Sequence, residues 1–276
     1  MDSNKAIALF DSGVGGLTVV KEIYRQLPGE KIIYFGDTAR FPYGPRPHEQ
    51  VRRFVFEIMD FLLAQEIKAL IIACNSATAA GLEYYRERTD LPLLGVIEPG
   101  VRAALARTKK GKVGVIGTQG TIESGAYLNV FRRLAPEMEL YSQACPLFVL
   151  LVENDLINTP EARRVAEVYL SPLKEKKIDT LILGCTHYPL MADVIQEVMG
   201  PEVQLISSAE ETARETRETM ERQGLLNLSG TSDSRSRFFV SGPAGAFQEL
   251  ASKLLGESIK AYQVVLDHNN PLIRQE

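Results

Sequence analysis

Two periodicities alternate along the chain. Short, mainly apolar runs occur at Ala6 to Phe10, Lys31 to Phe35, Leu70 to Ala73, Leu93 to Ile97, Lys112 to Ile116, Leu181 to Leu183 and Val203 to Ile206. Runs of that length predict strands buried on both faces. Between them the apolar positions keep helical spacing. Leu17, Val20, Ile23, Tyr24 and Leu27 share one face, as do Val51, Phe54, Val55, Ile58 and Leu62. Further helices are predicted over Leu82 to Arg88, Val101 to Arg107, Glu123 to Leu134, and from Pro160 to about Lys174, with another after Pro189. Ser207 and Glu210 form a candidate capping box for a helix reaching Gln223. Strands alternating with helices predict an α/β fold with mainly parallel sheets.

The pattern occurs twice. KAIALFDSGVGG (Lys5 to Gly16) is echoed by KVGVIGTQGT (Lys112 to Thr121), and LIIACNSAT (Leu70 to Thr78) by LILGCTHYP (Leu181 to Pro189). The spacing is shared too: 63 positions from Asp11 to Cys74 and 67 from Thr118 to Cys185. Internal duplication predicts two similar α/β domains related by a pseudo-twofold, with the active site between them. We place the first domain at 1–97 plus 208–276 and the second at 98–207, with Glu98-Pro99-Gly100 as the crossing point. The tail after 208 carries strands at Arg237 to Ser241 and Ala261 to Leu266 around a helix from Pro243 to Leu255, and LSGTSDSRS (Leu228 to Ser236) as a surface loop. About 65 residues make a marginal core of their own, so the tail is expected to complete the first domain.

Composition narrows the function classes. With 45% hydrophobic and 24% charged residues and a net charge of -4, the chain gives no electrostatic reason to expect nucleic acid or an anionic membrane as partner. No apolar run approaches the roughly 18 residues of a membrane span, and the amino-terminal apolar segment is too short for a signal peptide, so cytoplasm is the expectation. Three cysteines do not make a disulfide framework, and free thiols are expected.

Position gives two of those thiols meaning. Cys74 and Cys185 both end a predicted strand before a helix begins, where the ligand crevice of an open α/β sheet lies. Cys145 reads as an ordinary buried hydrophobe. A free thiol is only a few per cent ionised at about pH 7, and a helix amino terminus favours both the thiolate and a bound carboxylate. Two thiols offered by pseudo-twofold halves suit inversion of a stereocentre, which needs a base on one face of a carbon and an acid on the other.

In order, FDSGVGGLTV, GDTARFPYG, ACNSATA, GVIEPG, GTQGT and GCTHYPL resemble the motifs of the cofactor-independent aspartate/glutamate racemase family, and of its glutamate-acting branch in particular. The resemblance runs to about Ala209. It implies that Cys74 and Cys185 exchange the Cα proton of glutamate with neither cofactor nor metal, giving D-glutamate for peptidoglycan, in a protein that commonly forms homodimers. It places Asp11, Ser12, Tyr43, Gly44, Asn75, Ser76, Thr186 and His187 on the substrate. Pro42, Thr118 and Thr121, from the same motifs, complete the candidate contacts. Ser76 stands where the family often has threonine, which keeps the hydroxyl and loses a methyl.

Physical readings of these positions leave alternatives. Asp11 can receive the substrate ammonium or tune Cys74. His187 can help ionise Cys185 or be a hydrogen-bonded structural histidine. Glu153 is either a site carboxylate or a surface helix end, and Tyr43 either closes over substrate or anchors its loop. Three other functions compete. DSGVGG looks like a dinucleotide loop but lacks the last glycine of that fingerprint; Cys74, Cys185 and His187 could hold zinc but lack close ligand spacing; and the same helix ends could serve an amino-acid-binding module without catalysis.

Overall fold

The computed structural model describes residues 2–228, 236–266 and 272–274. The first half runs β1 (Ala6–Asp11), α1 (Leu17–Gln26), β2 (Ile32–Gly36), α2 (His48–Leu63), β3 (Ile67–Ile72), α3 (Asn75–Arg86) and β4 (Leu93–Gly95). Helix α4 (Ile97–Arg107) leads into β5 (Lys112–Gly117), α5 (Gln119–Glu123), α6 (Ala126–Leu134), β6 (Glu139–Ala144) and α7 (Leu147–Glu153). The second half continues with α8 (Pro160–Glu175), β7 (Thr180–Gly184), a 3₁₀ turn at Tyr188–Met191, α9 (Ala192–Met199) and β8 (Gln204–Ser207). Helix α10 (Ser208–Arg222) turns back, followed by β9 (Arg237–Val240), α11 (Ala244–Leu255), β10 (Ala261–Val265) and β11 (Leu272–Arg274).

Among the described residues these strands make two sheets, ordered β11-β10-β9-β2-β1-β3-β4 and β6-β5-β7-β8. The run β2-β1-β3-β4 in the first has the same order as the whole of the second, which is the structural form of the sequence echo. All pairings are parallel except β10 with β11. The period of two decides which way each strand residue faces. Ile7 and Leu9 of β1 pack with Leu17, Val20 and Ile23 of α1 and Ala213 of α10, whereas Ala8 and Phe10 pack with Val51, Val55, Ile58 and Leu62 of α2. In the second sheet Leu181 and Leu183 face α8 and α9, and Ile182 faces α4 and α6. Both sheets are therefore covered on both faces, as the continuous apolar runs require. Among the described residues no helix is long and apolar enough to cross a membrane.

Several elements depart from the sequence reading. The strand expected over Leu93 to Ile97 stops at Gly95, and Glu98-Pro99-Gly100 lies in the first turn of α4 rather than in a linker. Proline is tolerated there because first-turn amides have no helical acceptor. The helix expected over Glu123 to Leu134 is broken at Gly125, whose φ of +68° glycine adopts without steric cost. Ser207 caps α10 through the amide of Ala209, but Glu210 turns to Arg25 instead of closing the box. The tail strands β9 and β10 extend the first sheet beside β2, and β11 was not foreseen. Most of the expected loop from Leu228 to Ser236 lies outside the described residues.

Candidate active site

Four equivalent strand ends converge. Asp11 ends β1, Thr118 follows β5, Cys74 lies just past β3 and Cys185 directly after β7. The carboxyl edges of the two sheets face each other, and between them lies a narrow cavity of about 20 Å³. One side is lined by Ser12, Pro42, Tyr43, Gly44, Cys74, Asn75 and Ser76, the other by Thr118, Cys185, Thr186 and His187. All three cysteines are free thiols. Cys74 and Cys185 thus share one compartment while their main chains belong to different sheets.

The equivalence of the two thiols is incomplete. Cys74 is itself the amino-terminal cap of α3, its Sγ accepting from the amide of Ala77 at 3.4 Å and lying 3.8 Å from Ser12 Oγ. Cys185 precedes a 3₁₀ turn instead, and its Sγ lies 3.9 Å from His187 Nδ1. Burial, with the negative charge of Asp11, pushes the Cys74 thiol well up, and the Ala77 amide and Ser12 hydroxyl do not offset this. The helix end, which favours a thiolate, is thus opposed at Cys74 by the burial of the residue, 4% exposed, and by the carboxylate nearby.

Asp11, Glu153 and Thr121 stand one layer behind the cavity wall. Asp11 is fully buried; its Oδ2 accepts from the amide of Gly13 at 2.9 Å, and Thr186 Oγ1 donates to Oδ1 at 3.4 Å across the two halves. Glu153 Oε1 lies 2.6 Å from His187 Nε2, so this helix-end carboxylate touches a residue of the cavity wall without lining the cavity itself. For His187, burial acts to lower the pKa, but the hydrogen bonds to Cys185 and Glu153 and the charges of Cys185 and Asp11 outweigh it, raising the imidazole to about 10. Thr121 joins Ser76 and Thr118 in a buried cluster of three hydroxyls, with Ser76 Oγ 3.0 Å from Thr118 and 3.3 Å from Thr121.

Loop 36–47 forms the outer wall. Tyr43 lines the cavity, but its phenol is bonded to buried Asp37, which also takes Arg40 and Ser241, so the hydroxyl anchors the loop. Gly44 O accepts from Gly120 N at 3.0 Å, joining the loop to α5 of the other half. Two lining residues escaped the sequence reading. Phe41, whose ring centroid is 5.7 Å from that of His187, lies in the GDTARFPYG stretch without being singled out there, and Val149 of α7 falls in an apolar stretch that reads as ordinary core. Cys145 is wholly buried in the core of the second half and does not reach the cavity.

The competing sites fare differently. The DSGVGG turn is filled by protein: methyl groups on Gly15 and Gly16 would stand 2.3 Å from Thr186 Oγ1 and 2.5 Å from Asp11 Cβ. Those glycines allow close packing and leave no cradle for a pyrophosphate. Among the described residues no group of three or more His, Cys, Asp and Glu side chains has metal-binding geometry.

A sequence profile described as Asp/Glu/hydantoin racemase matches residues 12–216. The chain is 50% identical over 256 residues to a glutamate racemase from Oceanobacillus iheyensis, covering 92% of this chain and 93% of the relative. Its structure is similar to that of a glutamate racemase isoform from Bacillus anthracis, with a TM-score of 0.92 and 46% identity over 95% of this chain and 98% of the other. It is also similar to the glutamate racemase of Francisella tularensis in complex with D-glutamate, with a TM-score of 0.87 and 36% identity over 94% of this chain and 96% of the other.

Proposed function

The chain belongs to the Asp/Glu/hydantoin racemase family, and from that premise we propose that it interconverts L- and D-glutamate by proton transfer at Cα between Cys74 and Cys185. The observation that carries this reading is that the two thiols, supplied by equivalent strand ends of two sheets, line one cavity.

The chemistry is a proton in and a proton out. One sulfur, as thiolate, takes the Cα proton on one face; the opposite thiol gives its own proton to the other face, and the two sulfurs end with their charge states exchanged. Cys74, holding its proton through burial, is the donor when Cys185 deprotonates the L form, and the roles reverse for the D form. His187, cationic at neutral pH, lies beside Cys185 and balances the charge that moves there. The amide of Asn75 and the hydroxyls of Ser76, Thr118 and Thr186 provide donors for the two substrate carboxylates, and Ser12 on the cavity wall, with the Asp11 carboxylate behind it, is the candidate partner of the ammonium. Phe41 and Val149 keep water from the carbanion.

The product fits a supply of D-glutamate to peptidoglycan, and the family resemblance favours a cytoplasmic homodimer divided at 1–97 plus 208–276 and 98–207. Incubation with L-glutamate and L-aspartate in D₂O, followed by NMR of the Cα position, tests the reading. Exchange and inversion of glutamate are expected; exchange of aspartate alone would overturn the substrate, and exchange of neither would overturn the activity.

A further inference from the structure

Tyr127 lies on the buried face of α6 beside Phe131, where its spacing reads as plain core. A phenylalanine would fill that space, and a tyrosine there must find partners for its hydroxyl in the interior. The hydroxyl has neighbours on three sides. Asn75 Nδ2 donates to it across 2.8 Å, the hydroxyl of Ser208 is a second hydrogen-bond partner, and a methyl group on Gly184 would stand 3.1 Å away. These neighbours come from distinct parts of the fold. Asn75 follows Cys74 and lines the cavity, Gly184 precedes Cys185, and Ser208 opens α10, where the chain returns to the first sheet.

We propose that Tyr127 is a positioning residue for substrate recognition, holding the Asn75 amide in one orientation and tying the Cys74 side of the cavity to the Cys185 side. The inference rests on the glutamate racemase reading above. An asparagine amide that turns over exchanges its donor for its acceptor, so a fixed partner decides which group faces the cavity. With its oxygen accepting from Asn75, Tyr127 keeps its own proton to give, and its neighbour Ser208, whose Oγ donates to Leu183 O at 3.5 Å, has an oxygen free to take it. The relay thus runs from the wall of the cavity into β7, the strand that carries Cys185. Because it acts on how the substrate is held, its loss weakens binding of ground state and transition state alike.

Tyr127→Phe keeps the ring and removes the hydroxyl. We expect KM for both enantiomers to rise about tenfold, the worth of one hydrogen bond, with kcat changed by less than about threefold. Ser208→Ala, which cuts the relay one step further on, is expected to raise KM in the same direction by less. In an Asn75→Ala background Tyr127→Phe should add nothing to KM, an outcome that a purely structural role would not produce. Unchanged KM in Tyr127→Phe, or effects that multiply with those of Asn75→Ala, would overturn the proposal. Should Tyr127→Phe fail to fold, Ser208→Ala with unchanged KM overturns it instead. Wild-type protein that does not racemise glutamate overturns the underlying reading and is seen before any variant is made.

Discussion

His187 Nε2 lies 2.6 Å from Glu153 Oε1, so the residue two places beyond Cys185 is held by the end of α7. This contact is one reason the imidazole is raised from its ordinary 6.5 to about 10. A folded value above the unfolded one gives stability that is whole below about pH 6.5 and is lost as pH rises through about 10. Glu153→Gln removes one cause, so the loss, which still begins near pH 6.5, should be complete at lower pH and the total contribution should shrink. Melting temperatures of both proteins from about pH 6 to about pH 10.5, with NMR titration of the imidazole, check this. A wild-type His187 that titrates near its ordinary value would sink it.

The two thiols make different demands on a mutant series. Cys74→Ala and Cys185→Ala should each lower racemisation by at least ~10³-fold, within the ~10²–10⁴-fold span of acid–base groups. Glutamate binding, measured by calorimetry, should largely survive, because the proposed carboxylate contacts are Asn75, Ser76, Thr118 and Thr186 rather than the thiols. Racemisation that persists without either sulfur would show that the thiols are not the acid–base pair.

Much of this arrangement was legible in the sequence because strand-length apolar runs ending in Cys74 and Cys185 locate the thiols without any knowledge of packing. The echo between the halves was legible for the same reason, and it reappears as the common order β2-β1-β3-β4 and β6-β5-β7-β8. What stayed hidden depends on contacts made across the chain. Val149 and Tyr127 look like core residues, and nothing in their spacing says that they border a cavity or a substrate contact. The helix end that favours a thiolate at Cys74 is visible in sequence, whereas the burial beside Asp11 that opposes it is not. Pro99 read as a boundary because a proline inside the first turn of a helix looks, in sequence, like one between elements.

Away from the cavity, Lys68 Nζ lies 2.5 Å from Glu30 Oε2, with both side chains essentially out of water. Nζ also donates to Ser3 O at 2.6 Å and Leu225 O at 2.8 Å, so one cation gathers the amino terminus, the start of β3 and the segment after α10. Lys68→Met strands a buried carboxylate and should cost ~3–5 kcal/mol. Pairing it with Glu30→Leu should recover most of that loss, since a buried ion pair replaced as a unit is often nearly neutral. Urea unfolding of the single and double variants measures both, and kcat of the folded proteins should stay at the wild-type value. A single variant as stable as wild type would contradict the argument.

Gly15 is where the first half comes closest to the chemistry of the second. A methyl group there would stand 2.3 Å from Thr186 Oγ1 and 2.7 Å from His187 Nδ1, both on buried side chains with little room to yield. Gly15→Ala must therefore displace the segment that carries Cys185. Overpacking of this kind costs ~1–3 kcal/mol in stability. Its effect on rate should be larger in proportion, because a shift of about 1 Å between reacting groups can cost ~10²-fold. Gly245→Ala in α11 is the control: no atom lies within 4 Å of the added methyl, and removing a helical glycine should stabilise by ~0.5–1 kcal/mol with activity unchanged. Steady-state kinetics and thermal melts of the two variants separate the expectations. Gly15→Ala with wild-type kcat/KM would mean that the two halves can part at this seam without moving the sulfurs, and that the close approach at Gly15 serves packing alone.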